Sequence, residues 1–178
     1  MQIQQNIFTK INSKPLIVEI QKILFFVILA SVVPAVFHTQ WITGPIVNAI
    51  LFLSVIYCGL SGALVVSIIP SVVALSVGLL PAPLAPAIPY IILGNAIMVL
   101  VFSVFRNKNF WLGIGLAALL KFAFLFGAAS IVIKLLSASK IAPKIIAMLS
   151  WPQLATALAG GIIAFGIYKC LVFLRAPK

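Results

Sequence analysis

The sequence predicts an all-α integral membrane protein, a bundle of about six transmembrane helices, since each span needs roughly 20 residues. Of its 178 residues, 64% are hydrophobic and only 7% are charged, with a mean hydropathy of +1.31. A soluble domain is about 45–50% apolar and about 25% charged. The segments are apolar all round, whereas strands of membrane barrels alternate apolar and polar residues, so helices are favoured.

The apolar segments account for nearly the whole chain, so we expect one transmembrane domain over residues 1–178. The predicted spans cover about residues 20–37, 43–59, 62–80, 87–105, 110–135 and 151–174. Residues 58–62 predict a very tight turn between the second and third spans. Four prolines between residues 81 and 89 predict a bent, non-helical connection, because proline disrupts helices. That connection is either a rigid turn or a segment that dips into the membrane.

Lysine and arginine set the orientation of membrane proteins, because cytoplasmic loops carry an excess of them. If both termini are inside, eight basic residues lie on the cytoplasmic side and three lie outside. The three outer lysines either lie on the loop between the last two spans or attract an anionic ligand. The eight are Lys10, Lys14, Lys22, Arg106, Lys108, Lys169, Arg175 and Lys178. The three are Lys134, Lys140 and Lys144. We therefore expect a multi-pass plasma-membrane protein whose net charge of +11 faces anionic lipids and binds no nucleic acid.

The scarcity of acids and bases limits the chemistry. Glu19 is the only carboxylate side chain and His38 the only histidine. Paired-carboxylate catalysis and magnesium or two-metal sites therefore lack their residues, and no cysteine and histidine cluster suits zinc. We expect no enzyme, no catalytic residue, no metal and no cofactor. A concentrating transporter of this composition would take its energy from another subunit, because ion-driven carriers usually place acidic residues in their spans.

Polar and aromatic residues at membrane depth form the predicted outer ligand site. They are Trp41, Asn48, Asn95, Lys121, Trp151 and Gln153. Lys121 would face an anionic group, because a lysine within a span is costly and marks function, but it could also snorkel to the interface. The amides are ligand contacts or helix–helix glue. The tryptophans stack on the ligand or belong to the interfacial aromatic belt.

Six short spans with both ends inside and no energising machinery resemble the substrate-binding S component of energy-coupling-factor (ECF) vitamin transporters. The stretches that carry the resemblance are residues 43–49 (TGPIVNA), 94–96 (GNA) and 150–153 (SWPQ). The resemblance implies capture of a small vitamin-like nutrient at the outer face. It also implies docking on a membrane coupling subunit that carries two cytoplasmic ATPases.

The family's first span usually carries an Ala-x-x-x-Ala motif that docks the coupling subunit. Ser31 and Ala35 occupy these positions here, so the resemblance implies that they dock the partner. Serine in the first place and Pro34 inside the motif depart from the family pattern. Two other functions stay open: a structural or assembly subunit of a larger membrane complex, and a passive facilitator for small molecules. No vitamin-specific signature appears, so the substrate is open.

Overall fold

The computed structural model describes residues 13–80, 82–135 and 147–175, and in these ranges it has helices and no strand. The helices are α1 (Ser13–Val36), α2 (Gln40–Ser76), a short 3-10 helix (Ala82–Ala87), α3 (Ile88–Phe105), α4 (Phe110–Leu135) and α5 (Trp151–Arg175). The predicted all-α class is confirmed. Four basic residues used in the orientation argument lie outside the described residues: Lys10, Lys140, Lys144 and Lys178.

Within the described ranges, five helical segments are long and apolar enough to cross a membrane, with mean hydropathies of 2.0 to 2.3. They are Leu16–Val36, Gln40–Ser76, Ala85–Phe105, Phe110–Ile131 and Ala147–Leu174. This pattern is that of a multi-pass membrane protein. The second and third predicted spans, about residues 43–59 and 62–80, both fall largely within α2.

Gly59 interrupts α2 with a left-handed backbone conformation, φ 71° and ψ −176°. Asn48 in the part before it (residues 40–58) and Ser71 in the part after it (residues 60–76) line one cavity. In a straight helix these two residues would be roughly 35 Å apart, at 1.5 Å per residue. The chain therefore reverses at Gly59, and the two parts of α2 lie side by side.

The proline-rich segment after α2 departs from the sequence prediction. A non-helical connection was expected, but Ala82–Ala87 forms a 3-10 helix with Pro86 inside it. Proline holds φ near −65°, which lies within the range of a 3-10 helix, and such short helices tolerate a missing N–H. The segment leads directly into α3, whose first turn contains a proline.

An aromatic cluster joins four helices at the end of the bundle where α2 reverses. Phe102 of α3 packs edge-on against Phe52 of α2 at 4.7 Å and against Phe110 of α4 at 5.2 Å between ring centroids. Phe110 in turn stacks on Tyr168 of α5 at 5.9 Å. Such aromatic pairs stabilise beyond the apolar area that they bury. These contacts tie α2, α3, α4 and α5 together at this end of the bundle.

Apolar side chains also cover the outside of the bundle, above all on α1. Of the span in α1 only 17% is buried, against 61% for α2, and Leu24, Phe25 and Ile28 are more than half exposed. α1 packs against α2 and presents its remaining surface outward. In water such a surface would drive aggregation, whereas in a bilayer it faces lipid. α2 is thus the central element and α1 a peripheral one.

Replacing Gly59 by alanine should destabilise the protein by roughly 1–3 kcal/mol, the usual cost of a non-glycine residue in a sparsely populated backbone region. A Cβ at Gly59 would meet nothing within 4 Å, so backbone strain alone would cause the loss. The matched control is Gly115→Ala, which also adds its Cβ to open space but within a regular helix. Thermal unfolding in detergent measures both, and equal melting temperatures for the two variants would contradict the reversal at Gly59.

Candidate ligand-binding cavity

A cavity of about 110 Å³ lies at the end of the bundle opposite Gly59. The end of α1, both ends of α2, the beginnings of α3 and α5 and the middle of α4 converge on it. Its polar lining residues are Gln40, Thr43, Asn48, Ser71, Asn95, Lys121, Gln153 and Thr156. Its apolar lining consists of aliphatic side chains and prolines. A mostly apolar cavity with a few converging polar groups is the usual form of a small-molecule site.

Lys121 of α4 reaches this cavity from the bundle interior and is only 3% exposed. Its Nζ donates a hydrogen bond of 2.7 Å to Oδ1 of Asn48 in α2. The only carboxylate side chain of the chain, Glu19, is exposed on the lipid-facing helix α1. The amino group of Lys121 is therefore buried without an acidic side chain beside it. Burying a charge in this way is costly, which is why such residues mark functional sites in membranes.

Asn48 is held in place from the opposite side by α5. Its Nδ2 donates to Oγ1 of Thr156 at 3.5 Å, and that hydroxyl donates to the carbonyl of Gln153 at 3.3 Å. The 3.5 Å contact is long for a hydrogen bond, and it agrees with an amide whose oxygen faces Lys121. Gly160 allows the close approach, since a Cβ there would lie 2.6 Å from the Cβ of Asn48. A polar network thus links α4, α2 and α5.

The beginning of α5 is anchored by two glutamine side chains. Nε2 of Gln153 and Nε2 of Gln40 both donate to the carbonyl of Met148, at 3.0 Å and 3.2 Å. Thr43, which also lines the cavity, donates from Oγ1 to the carbonyl of Phe37 at 2.7 Å. These bonds satisfy backbone carbonyls beside the cavity and hold its mouth in shape. Sequence reasoning had singled out Gln153 but not Met148 as its partner.

Asn95 and Ser71 form the wall of the cavity between α3 and the second part of α2. Nδ2 of Asn95 donates to the carbonyl of Ser67 at 3.3 Å, and both Asn95 and Ser71 are 3% exposed. Oγ of Ser71 has no hydrogen-bond partner among the described residues. Sequence reasoning missed Ser71. Its spacing of four residues from Ser67 would have placed both on one helix face, but nothing in that pattern marks which hydroxyl lacks a partner.

The two predicted tryptophans lie elsewhere. Trp41 is 51% exposed and Trp151 61% exposed, and their ring centroids are 5.2 Å apart. Neither belongs to the lining of the cavity, so the structure brings together Asn48, Asn95, Lys121 and Gln153 without them. A pair of exposed tryptophans is typical of the membrane interface.

Comparison with known proteins finds no matching protein family, no matching curated protein and no matching solved structure. The function must therefore be inferred from the cavity itself.

The Lys121–Asn48 bond makes a specific prediction about stability. Asn48→Ala should cost about 1–3 kcal/mol, because it leaves the buried ammonium unpaired. Lys121→Met should be neutral or stabilising, because an apolar residue of similar size often replaces a buried charge without loss. The double variant should recover part of the loss of Asn48→Ala, with a coupling energy of about 0.5–3 kcal/mol. Thermal or denaturant unfolding of the four proteins gives this cycle, and additive effects would show that the bond is unimportant.

Proposed function

We propose that this protein is a membrane-embedded substrate-binding subunit that captures a small anionic nutrient in the cavity around Lys121. One observation carries the proposal. The cavity contains the buried amino group of Lys121, and the only carboxylate side chain of the chain, Glu19, does not line it. A lysine ammonium has three donors, and the protein uses one of them on Asn48. An anion with its own acceptor atoms would supply both the missing charge and the missing hydrogen bonds.

The proposal includes six membrane crossings, with α2 crossing twice by reversing at Gly59. It places the cavity on the outer side and both termini in the cytoplasm. The distribution of basic residues supports this orientation. Lys22, Arg106, Lys108 and Lys169 lie at the end of the bundle where α2 reverses, and cytoplasmic ends of membrane proteins carry such an excess of positive charge. A nutrient would then enter the cavity from outside.

The energy source is proposed to lie in other subunits, as in an ECF-type importer. The cavity lining has no acidic residue and no histidine among the described residues, so proton coupling by the side chains usual in ion-driven carriers has no candidate there. A membrane coupling subunit with two cytoplasmic ATPases would supply the work. Ser31 and Ala35 are the proposed docking positions on α1. Ala35 is exposed, and Ser31 is half-buried with its hydroxyl bonded to the carbonyl of Val27 at 2.8 Å.

A purely structural subunit would use its buried polar groups in contacts between helices. The network around Asn48 fits that description in part, because it ties α2 to α4 and α5. Two groups do not fit a purely structural role: the hydroxyl of Ser71, which has no partner among the described residues, and the remaining donors of Lys121. Buried polar groups that serve only packing are normally hydrogen-bonded, and these face a cavity instead. These groups favour a binding role.

Native mass spectrometry of the protein purified from its own host tests the binding role. The wild type should carry a small anionic molecule, and Lys121→Met should lose it because the counter-charge is gone. The matched control is Lys169→Met, since Lys169 is exposed outside the cavity, over the ring of Phe165 at 5.7 Å. If Lys121→Met still carries the anion, Lys121 does not hold it and the proposed site is wrong. An empty wild type that instead carries other membrane subunits would support a structural role.

The docking role of α1 is tested separately from ligand binding. The variant Ser31→Leu with Ala35→Leu should lose co-purification with the coupling subunit and ATPases, because the larger side chains keep the partner helix away. It should keep its ligand, since neither residue lines the cavity. Ala123→Leu adds the same bulk at an exposed alanine of α4 and should leave the complex intact. If the double variant still forms the complex, the docking surface does not include Ser31 and Ala35.

A further inference from the structure

We infer that the cavity selects an aliphatic monocarboxylate that carries one additional hydrogen-bonding group, such as a hydroxyl, and that Ser71 recognises this group. The inference rests on the proposed function, because it names the substrate class of the same cavity. Three features of the lining support it: a single buried cation, walls without aromatic rings, and an unpartnered hydroxyl on the wall formed by α2.

The charge of the lining sets the charge of the ligand. Lys121 is the only cationic residue among the described lining residues, and none of them is acidic. A single ammonium group balances a single negative charge, whereas clustered basic groups or a metal are the usual partners of phosphate dianions. A cationic or zwitterionic ligand would bring a positive group that no carboxylate here could balance. A monocarboxylate fits this arrangement.

The walls of the cavity are aliphatic. Val47, Leu79, Leu80, Ile91 and Leu149 line it, together with alanines, prolines and Met148, and no aromatic residue does. The described lining residues therefore offer no ring on which a flat aromatic ligand could stack, although stacking on aromatic side chains is the usual way to hold such ligands. The nearby tryptophan pair lies outside the lining.

The volume of the cavity keeps the ligand small. A protein cavity of about 150 Å³ holds one benzene molecule, and the present cavity measures about 110 Å³. The part of the ligand inside the cavity therefore has about four to five non-hydrogen atoms, in proportion to benzene.

Ser71 differs from Ser54 and Ser67, the other buried serines among the described residues. Ser31, Ser54, Ser67 and Ser76 each donate to a carbonyl of their own helix, three or four residues earlier, at 2.7 to 3.0 Å. Ser71 has no such bond among the described residues although it is 3% exposed. A buried hydroxyl without a partner is destabilising, so its presence in the lining indicates that a ligand group completes it. A hydroxyl or carbonyl of the ligand has the required chemistry.

Equilibrium binding to the full chain in detergent tests this substrate class. The probes are aliphatic monocarboxylates of about two to four carbons, each with and without one hydroxyl group, together with benzoate and inorganic phosphate. We expect the best hydroxylated acid to bind about tenfold more tightly than its unsubstituted counterpart, the usual value of one hydrogen bond. Benzoate and phosphate should bind more weakly than either.

Ser71→Ala should reduce the preference for the hydroxylated acid to about onefold, while the unsubstituted acid binds as before. The matched control is Ser54→Ala, because Ser54 is also buried but bonds to the carbonyl of Leu51 and does not line the cavity. It should keep the preference. A full preference in Ser71→Ala would overturn the role of Ser71.

Two further outcomes overturn the substrate class. One is benzoate or phosphate binding as tightly as the best aliphatic acid, and the other is no binding by any aliphatic acid of the set. Lys121→Met separates this failure from failure of the proposed function. If benzoate or phosphate binds and Lys121→Met abolishes that binding, the anion site stands and only the substrate class is wrong. If no anion depends on Lys121, in this assay or by native mass spectrometry, the proposed function fails as well.

Discussion

The burial of one ammonium group without a carboxylate is the constraint on which this structure depends. In a low-dielectric interior an unpaired charge is expensive, so Lys121 needs an oxygen dipole held firmly beside it. Asn48 supplies that dipole at 2.7 Å, and Thr156 fixes its orientation. The close approach of α5 at Gly160 makes this possible, because any larger residue would separate the two helices. The packing of three helices around the cavity therefore serves one charged group.

The reversal at Gly59 explains how one continuous helical element supplies two walls of the same cavity. Asn48 precedes Gly59 and Ser71 follows it by a similar number of residues. When α2 folds back at Gly59, the two residues therefore lie at the same height along the bundle. The tight aromatic cluster of Phe52, Phe102 and Phe110 holds the reversing end. The polar groups and the cavity lie at the opposite end of the bundle. The bundle thus has one end where aromatic contacts join the helices and an opposite end where the polar groups line a cavity.

The sequence predicted the class of fold and the depth of the polar residues, because length, hydropathy and position along a span are all readable from it. Asn48, Asn95, Lys121 and Gln153 were placed at one level of the bundle, and they line one cavity. The direction in which a side chain points was not readable, since the helices are apolar all round and give no amphipathic face. Trp41 and Trp151 lie at the right level but point outward, and Ser71 was missed because its exposure to the cavity depends on how α2 folds back. Ligand binding by these residues stays a prediction.

The geometry of Lys121 also determines what a ligand must do to bind. Its ammonium group has three N–H donors, and the bond to Asn48 occupies one of them, so an anion can join without breaking the existing network. The protein would then be folded and ordered before the ligand arrives, and little binding energy would be lost in rearrangement. The ligand would replace only the water or empty space beside the remaining donors and the hydroxyl of Ser71. A cavity that is formed before any ligand binds supports the proposed binding role over a purely structural one.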